Sequence, residues 1–246
     1  MFTPSRSGVR SPHRAPYMEK SNLPTHIAII PDGNRRWARK HGLIPWKGHI
    51  EGAKRVEEVI KRAAEIGILY ITVWGSSYDN LVKRTKTEVS ALNKVYAEMA
   101  KRIISDGFAE KNEIRIRILG EWEEILNKDT VKALRDLEKA TKNNKKMNAT
   151  ALIGYNGDRE MLSAINSLAG KTTEESLKNA LWTKDLPPVD MVIRTGGNPH
   201  LSAGFMMWDV RYSLLYFTDK LWPEFRSKDL DTAISYYSNQ ERRRGA

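Results

Sequence analysis

The chain is predicted to fold as one α/β domain, with a mostly parallel central sheet of about six strands flanked by helices. Three observations predict it. From residue 26 onward, short apolar runs of strand length alternate with stretches of helical periodicity. No internal repeat recurs at a fixed period, and no Pro/Gly linker divides the chain. The length, 246 residues, suits a single large core, because domains with parallel sheets often reach this size. The alternation sets aside two-layer and sandwich folds.

HIAIIP (26–31) is an apolar run ended by Pro-Asp-Gly, the profile of a buried strand. A helix starts near Arg35, with Asn34 expected as its N-cap. Residues 49–67 place Val56, Val59, Ile60, Ala63 and Ala64 on one stripe and stop at Gly67, a residue suited to a left-handed cap. ILYITVW (68–74) is the second strand. A loop (75–84) leads to Thr85, which with Glu88 makes a capping box for a long helix reaching Phe108. IRIRIL (114–119) alternates charge with Ile and is a strand. Residues 129–142 and 158–170 are helical and enclose the strand ATALIGY (149–155). VDMVIR (189–194) and SLLYFT (213–218) complete the strands, and a helix carrying ERRRG ends the chain.

With 40% apolar and 29% charged residues the composition is that of a soluble globular protein. No apolar run approaches the roughly 20 residues that span a bilayer. The absence of Cys excludes disulfides, thiolate metal sites and a Cys nucleophile. A formal charge of +11 points to an anionic partner: nucleic acid, a membrane surface or a phosphorylated small molecule. Part of that excess lies in residues 1–22, which read as a basic disordered arm without the apolar stretch of a secretory signal, ahead of a domain over 23–246.

In open parallel sheets ligands bind beyond the carboxyl ends of the strands, so the chemistry is sought in the loops that follow them. After the first strand come Asp32, Gly33 and Asn34, then Arg35, Arg36 and Arg39. Guanidinium forks and the free amides of a first helical turn suit phosphate. A carboxylate in that company repels the ligand unless a hard cation lies between them, and Mg²⁺ resolves the conflict. The alternative is that Asp32 merely caps the helix while the arginines line a wet face. RTGGNPHLSAG, after the fifth strand, adds donors on Arg194, His200 and Ser202. Together the two loops describe a site for two phosphorylated groups. The second loop offers Ser76, Ser77, Asn80, Lys83 and Arg84, and His49 opens the next helix. The apolar stripe of the helix after Thr85 is core by default or the wall of an apolar channel.

HIAIIPDGNRRWA, SSYDNLVKR, VDMVIRTGG, LYFTDKLWPEF and the terminal RRRG, in this order from residue 24 to the end, resemble the cis-prenyltransferase family, the isoprenyl transferases that include undecaprenyl diphosphate synthase. The resemblance implies a homodimeric, cytoplasmic, Mg²⁺-dependent enzyme. It condenses isopentenyl diphosphate with an allylic prenyl diphosphate to a cis-polyprenyl diphosphate, with peripheral membrane contact through the lipid product and no nucleic acid. It implies that Asp32 is the essential carboxylate and metal ligand. Gly33, Asn34, Arg35, Arg36, Trp37 and His49 then surround the allylic head group, Ser77, Asn80 and Arg84 belong to the second loop, and Arg194, His200 and Ser202 to the isopentenyl diphosphate site. Arg243 and Gly245 match a terminal motif that enters the partner's site. Family analogy places Asn80 near the final proton loss; since a neutral amide is a poor base, the released diphosphate or a water oriented by Asn80 is the better acceptor.

Three departures stand out. Leu214 replaces a Glu that is the expected second metal ligand, with Asp209 as the candidate substitute. His200 stands where an Arg is usual, with an extra Gly following. Pro45 replaces another Arg, with Lys47 nearby. They leave two alternatives open, a family member with non-standard condensation and a non-catalytic, partner-dependent subunit. A nucleic-acid-binding module is disfavoured, because the arginines stand at strand ends and are not interleaved with aromatics.

Overall fold

The computed structural model describes residues 22–240. Six strands form one sheet: β1 (His26–Ile30), β2 (Tyr70–Ser76), β3 (Ile114–Leu119), β4 (Met147–Ile153), β5 (Met191–Arg194) and β6 (Leu214–Phe217). Their order is β3-β4-β2-β1-β5-β6, and all five pairings are parallel. The class and strand number expected from the sequence are therefore found.

Every residue of β1 is buried, because a central parallel strand is covered on both faces. Alternate side chains divide between two cores. Ile27 and Ile29 join Ile71 and Val73 in the larger one, with Val59, Leu92, Leu134 and Ile234 from the helices. Ala28 and Ile30 join Trp74, Leu152, Val192, Tyr155 and Phe205 on the opposite face. From β1 the chain first adds β2 on one side and later β5 on the other. The order reverses there, so the crevice beyond its carboxyl end lies at the topological switch point.

α1 (Asn34–Lys40) and α2 (Pro45–Ile66) follow β1. α2 begins four residues earlier than expected, since Pro45 at its first turn is preset for the helix and lacks only an unneeded N–H. Its C-cap is Gly67, as read from the sequence, and Ile68 and Leu69 leave the helix before β2 starts. The loop after β2 winds into a short helix, α3 (Tyr78–Val82), capped by Ser77. α4 (Lys86–Ser105) opens with the Thr85–Glu88 capping box and ends at Asp106; Gly107, at φ 61°, starts a separate turn, α5 (Phe108–Lys111). α6 (Trp122–Ile125), α7 (Lys128–Thr141) and α8 (Gly157–Ser167) frame β4. α9 (Glu174–Ala180), absent from the sequence reading, is a seven-residue helix with its own Thr173–Ser176 box. α10 (Ser227–Ser238) is the last described helix. Of the arm expected over 1–22, only Asn22 lies among the described residues, and its carbonyl accepts a hydrogen bond from Ser238 Oγ at 3.0 Å.

Candidate active site

A cavity of about 570 Å³ opens beyond the carboxyl ends of β1, β2 and β5. Five arginines line it, Arg35, Arg36, Arg39, Arg84 and Arg194, against one acidic residue, Asp32. His49, Trp74, Ser76, Ser77, Asn80 and Ser202 complete the polar and aromatic wall.

The Asp32 turn is pinned from two segments. Its carbonyl accepts from Thr195 Oγ1 at 2.8 Å and from Trp222 N–H at 3.0 Å. Gly33, the actual N-cap of α1, has φ 109°, and a Cβ there would lie 2.8 Å from the Leu221 side chain. Positive φ and this close approach together demand glycine. Asn34 is therefore not the cap: it is the first helical residue, its Nδ2 donates to Pro31 O at 3.1 Å and its Oδ1 sits over Gly52.

Three donors converge on the Asp32 carboxylate. Arg194 Nη2 donates at 3.0 Å and Asn198 Nδ2 at 3.3 Å to Oδ2, while Arg36 Nη2 stands 3.2 Å from Oδ1. Burial pushes this carboxyl up, but the hydrogen bonds from Asn198 and Arg194 and the two guanidinium charges outweigh it, so its pKa falls below the usual carboxylate value. Arg36 Nη1 also donates to Gly196 O at 2.8 Å. Arg194 is only 5% exposed and is held on its other side by His200 O at 2.6 Å and Ser202 Oγ at 2.9 Å.

On the α2–α4 side, Arg84 Nη1 meets His49 Nε2 at 3.4 Å, and Arg35 lies 3.9 Å from Glu88. Burial, then the charges of Arg84 and Arg35, lower the His49 pKa to about 4. The ring is neutral at pH 7, so Nε2 can accept from Arg84. Burial and Arg35 also pull Arg84 downward. Ser77 Oγ accepts from the Asn80 N–H at 3.0 Å, and Asn156 ties α3 to α8 through Tyr78 N–H and Asp79. Lys83 points away, paired with Asp79 at 2.6 Å.

The sequence-derived set is thus largely brought together. Asp32, Gly33, Asn34, Arg35, Arg36, His49, Ser77, Asn80, Arg84, Arg194 and Ser202 all border the cavity. Trp37 does not; its ring lies against His41, tilted by 31° with centroids 4.3 Å apart. His200 acts on the site at one remove, through its carbonyl on Arg194 and its Nε2, 3.1 Å from Ser202 Oγ. Arg243 and Gly245 lie outside the described residues. Lys47 is exposed and borders no part of the cavity. Leu214 starts β6 opposite Met191, at the amino end of the sheet, and packs against the larger core. Asp209 is no replacement ligand, being buried with its Oδ1 bonded to Lys178 Nζ at 2.5 Å. Asn198 was missed, because nothing in NPHLSAG shows which polar side chain turns back to Asp32. Trp74 was missed too, having been read as an ordinary strand residue.

Fold and cavity together define an α/β protein whose arginine-lined site opens at the switch point of a parallel sheet. A family model described as undecaprenyl diphosphate synthase matches residues 30–245. An isoprenyl transferase of Fusobacterium nucleatum is 40% identical over 232 residues, 93% of this chain and 98% of its own. A tritrans,polycis-undecaprenyl-diphosphate synthase (geranylgeranyl-diphosphate specific) of Pyrococcus horikoshii is 36% identical over 233 residues, 91% of this chain and 87% of its own. Among solved structures, lavandulyl diphosphate synthase from Lavandula x intermedia, in complex with dimethylallyl diphosphate, superposes with a TM-score of 0.86 at 28% identity, covering 92% of this chain and all of that one. The chain belongs to the undecaprenyl diphosphate synthase family, and it is a prenyltransferase.

Proposed function

We propose that the protein condenses isopentenyl diphosphate with an allylic prenyl diphosphate, in a Mg²⁺-dependent reaction, to give a cis-polyprenyl diphosphate. The observation that carries this reading is the single carboxylate among five arginines in one cavity. That balance suits two diphosphates.

The donor set suits a hard divalent ion shared with substrate. No group of three or more His, Cys, Asp or Glu side chains able to hold a metal occurs among the described residues. Asp32 would therefore be the protein ligand, with diphosphate oxygens and water filling the remaining positions, the usual habit of Mg²⁺. When bound, the ion neutralises negative charge on the departing diphosphate.

The chain's own residues do the rest. Arg35, Arg36, Arg39 and Arg84 stabilise the leaving group as the allylic C–O bond breaks. Neutral His49 accepts from Arg84 and leaves the other guanidinium hydrogens for phosphate. Arg194 and Ser202 seat the isopentenyl diphosphate so that its double bond faces the allylic cation, which makes carbon–carbon bond formation effectively intramolecular. The proton lost afterwards passes to the released diphosphate or to a water oriented by Asn80.

Homodimerisation follows from the same reading and is favoured by the two sheet margins. β3 protects its edge with Arg115 and Arg117, whereas the β6 margin exposes Leu215 and Tyr212. No helix of the described residues is long and apolar enough to cross a membrane. We place the enzyme in the cytoplasm, touching membrane through its lipid product.

The test is to incubate purified protein with Mg²⁺, radiolabelled isopentenyl diphosphate and a series of allylic diphosphate starters. Butanol-extractable polyprenyl product is expected, lost on chelation and restored by Mg²⁺. A folded protein that yields none with any starter overturns the reading.

A further inference from the structure

At the amino end of β5, where the Asp209 carbonyl accepts from Val189 N–H at 2.9 Å, lies a charged pair, its acid buried and its base partly so, that the reaction itself does not use. Lys178, on α9, donates to Asp209 Oδ1 at 2.5 Å and to the carbonyl of Thr183 at 2.9 Å. The Asp209 side chain is 2% exposed, and its Oδ2 takes no hydrogen bond among the described residues. A second buried carboxylate, Glu160, stands nearby, accepting from Tyr155 Oη at 2.5 Å and from Thr183 N–H at 2.8 Å. One ammonium thus serves a neighbourhood with two acids. Such a pair is a poor way to gain stability, since an apolar pair of the same volume avoids the desolvation cost. What it supplies is a directional bond between two segments.

One of those segments runs over residues 195–213, from β5 to β6. Its ends are fixed by strand pairing, but its middle is irregular: Ala203 and Met206 hold φ of 45° and 44°, a region that costs a non-glycine residue energy. The loop needs anchors, and Asp209 is one of them. Three residues before it, Met206 O accepts from the Asp209 N–H at 2.8 Å, and Phe205 packs on Trp74, which lines the cavity. Further back, Ser202 Oγ and His200 O hold the Arg194 guanidinium.

We propose that Lys178 and Asp209 are positioning residues: their ion pair sets the pose of the 195–213 loop, and through His200 and Ser202 the direction of Arg194, so that it governs the isopentenyl diphosphate site and not the allylic one. This rests on the assignment of Arg194 to that substrate. Neither residue touches a reacting group.

The test compares Lys178→Met, Asp209→Asn and the conservative Lys178→Arg with the wild-type protein. Lys178→Met is expected to raise the KM for isopentenyl diphosphate about tenfold while the KM for the allylic diphosphate moves less than about twofold, and Lys178→Arg restores most of the loss. Calorimetric titration of each diphosphate reads the same split without turnover. If Lys178→Met does not fold, Asp209→Asn, which keeps the shape and loses the charge, carries the comparison. Both KM values rising together, or neither rising in a folded variant, overturns the proposal. Wild-type protein that binds neither diphosphate overturns the functional reading itself, a result distinct from the first two.

Discussion

At Asp32, two guanidiniums and an amide meet one half-exposed carboxylate, and the balance of charge in the cavity turns on that residue. Its side chain supports no core contact, so Asp32→Ala is expected to abolish product formation while the protein still folds, at a cost of about 3 kcal/mol because buried Arg194 loses its carboxylate partner. Product assays beside urea denaturation check this; retained turnover defeats the catalytic role. His49 gives a prediction of opposite character. Its pKa is about 4 in the fold, against 6.5 for the free side chain, because burial and two arginines oppose protonation. The unfolded chain therefore takes up the proton first on acidification. Stability held by this group is fully present above pH 6.5 and lost as the pH falls from 6.5 towards 4. The loss is on the order of 2 kcal/mol for a partly exposed ring. Denaturant midpoints across that range should fall more steeply in the wild type than in His49→Gln.

Among the elements, the 195–213 loop is the one whose placement matters most, and it is gripped at Gly157 as well as at Asp209. Gly157 N–H donates to Ala203 O at 2.8 Å, and a Cβ on Gly157 would stand 1.8 Å from the carbonyl oxygen of Gly204. Both partners are backbone, so neither can swing aside. Gly157→Ala should cost about 2 kcal/mol by forcing the helix start and the loop apart. It should also raise the KM for isopentenyl diphosphate more than that for the allylic substrate. Equal stability of the variant would mean that the contact is looser than its geometry states. β6 shows how register limits expectation: a carboxylate at position 214, the second residue of the pattern SLLYFT, is placed by the pairing with Met191 at the far end of the strand from Arg194.

On the scale of the whole molecule, the sheet order puts the carboxyl ends of β2, β1 and β5 side by side, and three loops distant in sequence share one cavity for that reason. The apolar β6 margin leads to a concrete expectation for assembly. Sedimentation should show a dimer, and Leu215→Glu, which places a charge on the exposed margin, should shift it towards monomer. A Leu215→Glu protein that remains fully dimeric would move the interface elsewhere.

The linear pattern by itself determined the class of fold, the six strands and most of the residues that line the cavity. Alternating apolar runs and helical stripes are local properties, and strand-end loops carry ligands in such sheets whatever their order. DGNRR, the second loop and RTGG were accordingly legible as one site. Boundaries were less so: β2 begins two residues after the expected start, because Ile68 and Leu69 serve to leave α2. Only tertiary structure decided that Gly33 and not Asn34 caps α1, that Asn198 bonds Asp32, that Trp37 turns to His41, and that Asp209 pairs with Lys178. The Asn198 and Asp209 bonds depend on which residue from a distant segment arrives within about 3 Å, the range over which a hydrogen bond acts, and the Gly33 cap depends on the close approach of Leu221. Sequence spacing carries no record of that distance; the packing of α9, the sheet and the loops creates it.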